Sequence, residues 1–261
     1  MNPGEHRRRK HEGLRVSARR WAAATVLLAA VMAVNAEPRR SGLDDMSPAL
    51  QAMQRDDAQN PAALWLQAGE QRFAADCARC HSAASMRGVA ARYPAWDATA
   101  GKPLTLSGRI NACRVRHVKA PAPWAPDSDE LIALETYVAR ASRGQPIAPP
   151  ADAALDRWRA RGQALWRQPL GQLALSCTQC HDRHASGRLA GSTIPQAHPT
   201  GYPIYRLEWQ GMGSLQRRIR NCMTGVRAEP FDWNADEMIA LESYLMQRAA
   251  GLLIETPAVR P

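Results

Sequence analysis

The chain has 261 residues, 45% of them hydrophobic, a composition typical of a globular protein and a length that suits two domains of about 100 residues each. Its formal net charge of +10 at pH 7 would suit a nucleic-acid-binding protein, but half of this charge lies in the first 36 residues. Removing those residues takes away seven basic and two acidic side chains and leaves +5. The composition therefore gives no reason to predict nucleic-acid binding.

The N-terminus has the three parts of a secretory signal peptide. Seven basic residues precede an apolar run from Trp21 to Val34, and Val34-Asn35-Ala36 is a small-residue cleavage site. The run is shorter than the ~20 residues that a helix needs to cross ~30 Å of hydrocarbon, which argues against a membrane anchor. We predict a signal peptide over residues 1–36, cleavage near Ala36, and a periplasmic protein without membrane attachment. Arg19-Arg20 leaves both the general secretory and the twin-arginine export routes open.

Four of the six cysteines belong to two copies of the C-x-x-C-H pattern that attaches haem. The copies are Cys77-Ala-Arg-Cys80-His81 and Cys177-Thr-Gln-Cys180-His181. In each, two thiols on one helical turn can add to the two haem vinyl groups, and the next residue presents an imidazole to the iron. A zinc site would leave both histidines without a role, and a thioredoxin-like redox pair needs no following histidine. We predict two covalently attached haem c groups, with His81 and His181 as iron ligands.

The sequence around the two motifs is also repeated. Downstream, L-x-x-R-I-x-x-C occurs from Leu106 to Cys113 and from Leu215 to Cys222. Upstream, a tryptophan followed four positions later by a glycine occurs as Trp65 and Gly69 and as Trp158 and Gly162. Apolar residues spaced for one buried helical face recur as Leu131, Leu134 and Val138 and as Met238, Leu241 and Leu245. We predict a mostly α-helical protein with two cytochrome c-like haem domains related by an internal repeat.

Local signals set the expected boundaries of these domains. Asp127 and Asn234 each precede a glutamate by three positions, a spacing that predicts an Asx N-cap within a capping box. Three prolines between Gly144 and Pro150 cannot continue a helix. The predicted order is an N-terminal arm over residues 37–60, a first haem domain over 61–145, a proline-rich linker over 146–150, and a second, catalytic domain over 151–261.

The two remaining cysteines, Cys113 and Cys222, occupy equivalent positions in the repeat. A haem iron with histidine on one side usually takes Met, His or no ligand on the other. The eligible residues are Met86, Met212, Met223, His117, His184 and His198. None of them recurs at equivalent offsets, whereas the cysteines do, so we predict Cys113 and Cys222 as the second iron ligands. A Cys113–Cys222 disulfide is the alternative that an oxidising compartment would permit.

An arginine stands one helical turn before each of these cysteines, Arg109 before Cys113 and Arg218 before Cys222. A guanidinium there would favour a thiolate and bind an oxyanion with two hydrogen bonds, although a haem propionate is an alternative partner. Around the second cysteine the basic residues are more numerous than propionates require, with Arg217, Arg218, Arg220 and Arg227. We predict Cys222 and Arg218 as catalytic residues, and Arg220 and Arg227 as further substrate-binding residues.

The sequence resembles the SoxA family, the dihaem subunits of the SoxAX cytochrome complex of bacterial sulfur oxidation. The matching stretches are Gly171–His181, His198–Gln210 and Arg218–Phe231. The resemblance implies His/Cys ligation at both irons and a persulfide on Cys222. It also implies L-cysteine S-thiosulfotransferase activity: thiosulfate is coupled oxidatively to a cysteine of the carrier protein SoxYZ, and two electrons leave to the monohaem partner SoxX, which forms a heterodimer with the chain.

Two other functions stay open at this point. A dihaem thiosulfate dehydrogenase would join two thiosulfates into tetrathionate and needs only a small-molecule pocket. A dihaem electron carrier would have saturated irons and no substrate, and Cys222 would then only tune a reduction potential. The repeated cysteine and the excess of arginine residues near Cys222 count against the electron carrier.

Overall fold

The computed structural model describes residues 38–261, and Arg39–Pro261 form one compact unit. The predicted signal peptide and its cleavage site lie outside the described residues. Between residues 38 and 261, no helix has the length and apolar character needed to cross a bilayer.

Helices provide most of the regular structure. They are α1 Pro48–Arg55, α2 Ala63–Asp76, α3 Leu106–Cys113, α4 Asp129–Arg140, α5 Asp156–Arg167, α6 Leu215–Gly225 and α7 Asp236–Arg248. The strands are short: β1 Ala95–Asp97, β2 Lys102–Leu104, β3 Arg188–Leu189, β4 Ser192–Thr193, β5 Ile204–Arg206, β6 Gly211–Gly213 and β7 Ala258–Arg260. Strands β1 and β2, β3 and β4, and β5 and β6 form antiparallel pairs, and β7 adds to β5 in parallel.

The repeat in sequence is a repeat in packing. In the first half of the described chain α2 packs against α4, and in the second half α5 packs against α7. Each contact is made at the repeated glycine: a Cβ at Gly69 would lie 2.1 Å from the Ala133 carbonyl oxygen, and one at Gly162 would lie 2.0 Å from that of Ala240. Only glycine permits this approach of the two backbones. The predicted mostly helical fold with two halves related by a repeat is confirmed.

The predicted apolar faces of α4 and α7 are confirmed, because all six repeated apolar residues are at most 4% exposed. The predicted Asx N-caps are wrong. The cap of α4 is Ser128, whose hydroxyl accepts from the Leu131 amide, and α7 has no side-chain cap. Asp127 and Asn234 have left-handed backbones with φ of 59° and 58°, and their side chains bond to residues of the second half, Ser214 and Gln216.

The segment predicted as a linker lies along the C-terminal part of the chain. Ile147 is buried, its amide donates to the Leu252 carbonyl at 2.8 Å, and its carbonyl accepts from the Gly251 amide at 2.8 Å. The predicted N-terminal arm contains α1, and the buried Gln54 side chain accepts from the Val259 amide of β7. The domain boundaries at 60, 145 and 150 stay predictions.

Candidate functional site

Each half brings its third cysteine to its own C-x-x-C-H motif. All six cysteines have free thiols, so the structure contains no Cys113–Cys222 disulfide. Burial raises the pKa of Cys77 to about 11, and Cys113 is near enough to contribute to that rise. Burial likewise raises the pKa of Cys177 to about 11, with a contribution from Cys222. Cys113 therefore lies near the first motif and Cys222 near the second. Ligation of one iron by His and Cys requires this arrangement within each half.

His181 is held in one orientation by its surroundings. Its Nδ1 lies 2.7 Å from the Pro195 carbonyl oxygen, and its ring stacks on Trp166 with centroids 5.7 Å apart. Burial lowers the pKa of His181, and the charges of Arg218 and Arg248 lower it further. A neutral imidazole that donates from Nδ1 offers Nε2 to a metal, which is the usual arrangement for an iron-ligating histidine.

His81 lacks this support. It is exposed, and its side chain has no hydrogen-bond partner among residues 38–261. The cause is visible in the chain length after each motif: 12 positions separate His81 from Tyr93, whereas 21 separate His181 from the equivalent Tyr202. The longer connection contains β3, β4 and Pro195, so the extra chain of the second half supplies the carbonyl that holds His181.

The side chains in both halves fit a covalently attached haem c. Each half combines two motif thiols, one imidazole and a third sulfur, and in the second half the imidazole already has the tautomer that an iron ligand needs. The alternative ligands are placed differently. Met86, Met212 and Met223 are buried in the apolar core, His198 Nδ1 lies 2.8 Å from the Arg40 carbonyl oxygen, and His117 and His184 are exposed. Ligation by Cys113 and Cys222 stays a prediction.

Arg109, the arginine before the first cysteine, is neutralised by a carboxylate. Asp97, 3% exposed in its side chain, lies 2.6 Å from Arg109 and 2.7 Å from Arg116. The Ala100 amide also donates to Asp97. The hydrogen bond from Arg116 is the main cause that lowers the pKa of Asp97 to about 2. The predicted guanidinium site beside Cys113 therefore already contains a bound anion, the Asp97 carboxylate.

Arg218, the arginine before the second cysteine, has no ion-pair partner among residues 38–261. Its charge influences His181, the buried hydroxyl of Tyr202, and Arg206. Burial raises the pKa of Tyr202 to about 12, and Cys222 adds to this effect. The structure thus brings the predicted residues His181, Arg218 and Cys222 to one site. In this site Tyr202 is an uncharged phenol, and Arg218 is a cation without an ion-pair partner among residues 38–261.

The other three arginines near Cys222 differ from Arg218. Arg217 forms an ion pair with Asp127 at 3.5 Å and lies over the Trp209 ring at 4.2 Å. Arg220 donates to the Phe231 carbonyl and lies over the Trp233 ring. Arg227 is exposed. Of the predicted cationic residues, Arg218 is the one placed beside both His181 and Tyr202, and substrate binding by Arg220 and Arg227 stays a prediction.

Sequence reasoning missed Asp97, Arg206 and the two tyrosines, although the signal is present in the chain. From residue 93 to residue 113 and from 202 to 222, the two halves align without a gap. Both stretches begin with a Tyr-Pro pair joined by a cis peptide bond and end at the third cysteine. This alignment places the aspartate of the first half opposite the arginine of the second. The Pro195 carbonyl had no such signal, because it is a backbone group.

The fold and the paired motifs define the class, a c-type cytochrome that binds haem c covalently. The model of the SoxA/TsdA cytochrome c domain matches residues 61–147 and again residues 161–254. The chain belongs to this family. The two matched ranges correspond to the two halves of the repeat, which explains why one domain model matches the chain twice.

The similar curated proteins carry the name L-cysteine S-thiosulfotransferase subunit SoxA. The protein from Pseudaminobacter salicylatoxidans is 37% identical over 187 residues, which is 70% of this chain and 65% of that protein, just under two thirds of its length. The protein from Rhodovulum sulfidophilum is 32% identical over 232 residues, 85% of this chain and 80% of that protein. The crystal structure of SoxXA from P. pantotrophus matches with a TM-score of 0.83 and 29% identity, covering 89% of this chain and 90% of that one.

Proposed function

We propose that this chain is an L-cysteine S-thiosulfotransferase subunit, which couples thiosulfate oxidatively to a cysteine of a SoxYZ-type carrier protein and passes two electrons to a cytochrome c partner. The partner is a monohaem SoxX-type subunit bound as a heterodimer. The SoxA name of the similar proteins and the SoxXA title of the similar structure support this proposal. The predicted signal peptide supports a periplasmic location.

The observation that carries the proposal is the unpaired Arg218 beside Cys222 and His181. Thiosulfate is a dianion, and moving it from water into a partly buried site is costly unless a cation meets it. A guanidinium binds such an oxyanion with two parallel hydrogen bonds. Arg218 stands one helical turn from Cys222, so an anion bound there would have its terminal sulfur within reach of the cysteine sulfur.

The overall chemistry balances as a two-electron oxidation. The carrier thiol and thiosulfate form a new S–S bond, giving a cysteine S-thiosulfonate, and release one proton and two electrons. Cys222 would hold sulfur at the reacting position, and we propose that it does so as a persulfide. Arg218 would neutralise the sulfonate end of thiosulfate as the bond forms.

Two haem c groups would be attached at Cys77 and Cys80 and at Cys177 and Cys180, with His81 and Cys113 or His181 and Cys222 as iron ligands. A haem c attached at Cys177 and Cys180 would supply a one-electron acceptor for the sulfur chemistry at Cys222. Burial lowers the pKa of His181, which favours the neutral imidazole, and the hydrogen bond to the Pro195 carbonyl would keep that imidazole oriented for its iron.

The test is coupling of thiosulfate to the purified carrier by the holoprotein with its cytochrome partner, followed by intact mass of the carrier. We expect a thiosulfonate adduct on the carrier cysteine. Arg218→Gln should reduce the rate by about 10²-fold, the range found for loss of a charged group that stabilises a developing anion. Arg55→Gln is the matched control, since Arg55 is an exposed arginine of α1 whose side chain bonds to Gln51.

The same assay distinguishes the rival functions. Tetrathionate formed from thiosulfate without the carrier would identify a thiosulfate dehydrogenase. Absence of any thiosulfate-dependent reduction of the cytochrome partner, with the carrier present, would identify an electron carrier. Either result would contradict the proposed transferase.

A further inference from the structure

The two halves place opposite charges at one equivalent position. Asp97 is the last residue of β1 and pairs in register with Lys102, the first residue of β2. Arg206 is the last residue of β5 and pairs in register with Gly211, the first residue of β6. The helices that follow are also capped alike, by Thr105 and Ser214. The backbones are therefore equivalent, and the side chain alone changes from carboxylate to guanidinium.

In the first half, Asp97 supplies the negative charge that its neighbours need. Its buried carboxylate bonds to both Arg109 and Arg116 at 2.6 Å and 2.7 Å. A second anion at this place would meet the Asp97 charge at short range. The first half therefore already holds an internal anion at the place where an external one would bind.

In the second half, the equivalent position adds positive charge. Arg206 is 11% exposed in its side chain, and its buried Nε has no hydrogen-bond partner among the described residues. Its pKa is lowered first by burial and then by the charge of Arg218. Its own carboxylate partner, Glu208 at 2.6 Å, is 61% exposed, so solvent screens that ion pair. Two neighbouring guanidinium groups without a buried counterion favour the binding of an anion.

We propose that Arg206 is a substrate-binding residue that shares the anion with Arg218, and that Asp97 occupies the corresponding anion position in the first half. The ligand class is a small tetrahedral sulfur oxyanion with two negative charges. This inference rests on the proposed function for the identity of the anion, thiosulfate. If it holds, catalysis occurs in the second half because Arg206 stands there at the position that Asp97 occupies in the first half.

The test is equilibrium dialysis of the holoprotein against radiolabelled thiosulfate, without the carrier. We expect one thiosulfate per chain, and Arg206→Gln should weaken its binding by about ten-fold or more, as loss of one charge-assisted contact predicts. Arg206→Lys keeps the charge but loses the bidentate geometry, so we expect it to weaken binding less than Arg206→Gln does. Arg55→Gln, which changes the net charge equally, is the control. Equal binding by Arg206→Gln and Arg55→Gln would overturn the inference.

A second variant keeps the inference testable even if Arg206→Gln fails to fold. Asp97→Asn removes the internal anion beside Arg109 and Arg116, and we expect it to bind two thiosulfates per chain instead of one. A stoichiometry of one in this variant would contradict the role assigned to Asp97.

The proposed function can fail separately from this inference. Arg206-dependent binding of thiosulfate without adduct formation on the carrier would contradict the transferase and keep the anion site. Adduct formation with unchanged binding in Arg206→Gln would do the reverse. With the carrier present, Arg206→Gln should raise KM for thiosulfate about ten-fold and leave kcat within about three-fold, since the residue acts on binding.

Discussion

The first and second halves of this molecule share a backbone plan but differ at the sulfur-bearing cysteine. Around Cys113 an aspartate forms an ion pair with the nearby arginine, and the side chain of the motif histidine is exposed without a hydrogen bond to any of residues 38–261. Around Cys222 the position equivalent to Asp97 is occupied by Arg206. The longer connection after the second motif provides the Pro195 carbonyl, which fixes the orientation of His181. Duplication thus preserved the haem-binding frame, while two local changes, one in charge and one in loop length, made the halves chemically different.

Removing the third cysteine of each half should separate the two halves most strongly. Cys222→Ala should reduce coupling of thiosulfate to the carrier by at least about 10²-fold, because the reacting sulfur is lost. Cys113→Ala should change the spectrum of the haem in the first half and reduce coupling by at most about ten-fold. Rates and absorption spectra of both holoproteins measure this difference. Equal losses in the two variants would show that the halves are not functionally distinct.

A second prediction concerns what the halves share. Gly69→Ala and Gly162→Ala each force a methyl group against a backbone carbonyl, at 2.1 Å and 2.0 Å. We expect each to destabilise the fold by about 1–3 kcal/mol or more, the usual cost of overpacking, and so to lower Tm by about 2–4 °C per kcal/mol.

The control for the glycine variants is Gly191→Ala, because an added Cβ there would meet no atom within 4 Å. Thermal unfolding followed by circular dichroism measures all three. If Gly69→Ala and Gly162→Ala had the same Tm as Gly191→Ala, the close contacts of α2 with α4 and of α5 with α7 would not be needed for stability.

The smallest effect concerns the pair of glutamates between the halves. Glu135 of α4 and Glu242 of α7 are repeat-equivalent and line one cavity of about 80 Å³ together with Asp127, Gln216 and other residues. Burial, with the charges of Glu242 and Asp127, raises the pKa of Glu135 to about 8. Burial raises the pKa of Glu242 to about 7, against the hydrogen bond from Gln216.

Both folded-state pKa values lie above the ordinary value of 4.5, so the folded protein binds these protons more tightly than the unfolded chain does. The resulting stability is fully present below about pH 4.5 and is lost as the pH rises through about 7 and 8. We expect Tm to fall across this range and Glu135→Gln to flatten the fall. The exposed Glu70→Gln is the control, and an equal slope in the two variants would contradict the assignment.

Much of this molecule was predictable from sequence because the repeat doubles each signal. The haem-attachment motifs and the apolar faces of α4 and α7 follow from residue type and spacing. The sequence also showed that Gly69 and Gly162 are equivalent, but their contacts with α4 and α7 became visible only in the structure. The Asx caps failed because Asp127 and Asn234 adopt left-handed backbones, and their side chains accept hydrogen bonds from Ser214 and Gln216 instead of capping a helix. The ion pair of Asp97 with Arg109 was missed because it joins a strand to a helix through tertiary packing.

If Arg206 and Arg218 select the reacting half, sulfur chemistry occurs at Cys222 and not at Cys113. The most direct measurement is peptide mass spectrometry of the holoprotein, purified from a haem-attaching host, on the peptides that contain Cys113 and Cys222. We expect an additional sulfur atom on Cys222 and an unmodified Cys113. An additional sulfur on Cys113, or on both cysteines equally, would contradict the claim that the exchange of Asp97 for Arg206 selects the second half.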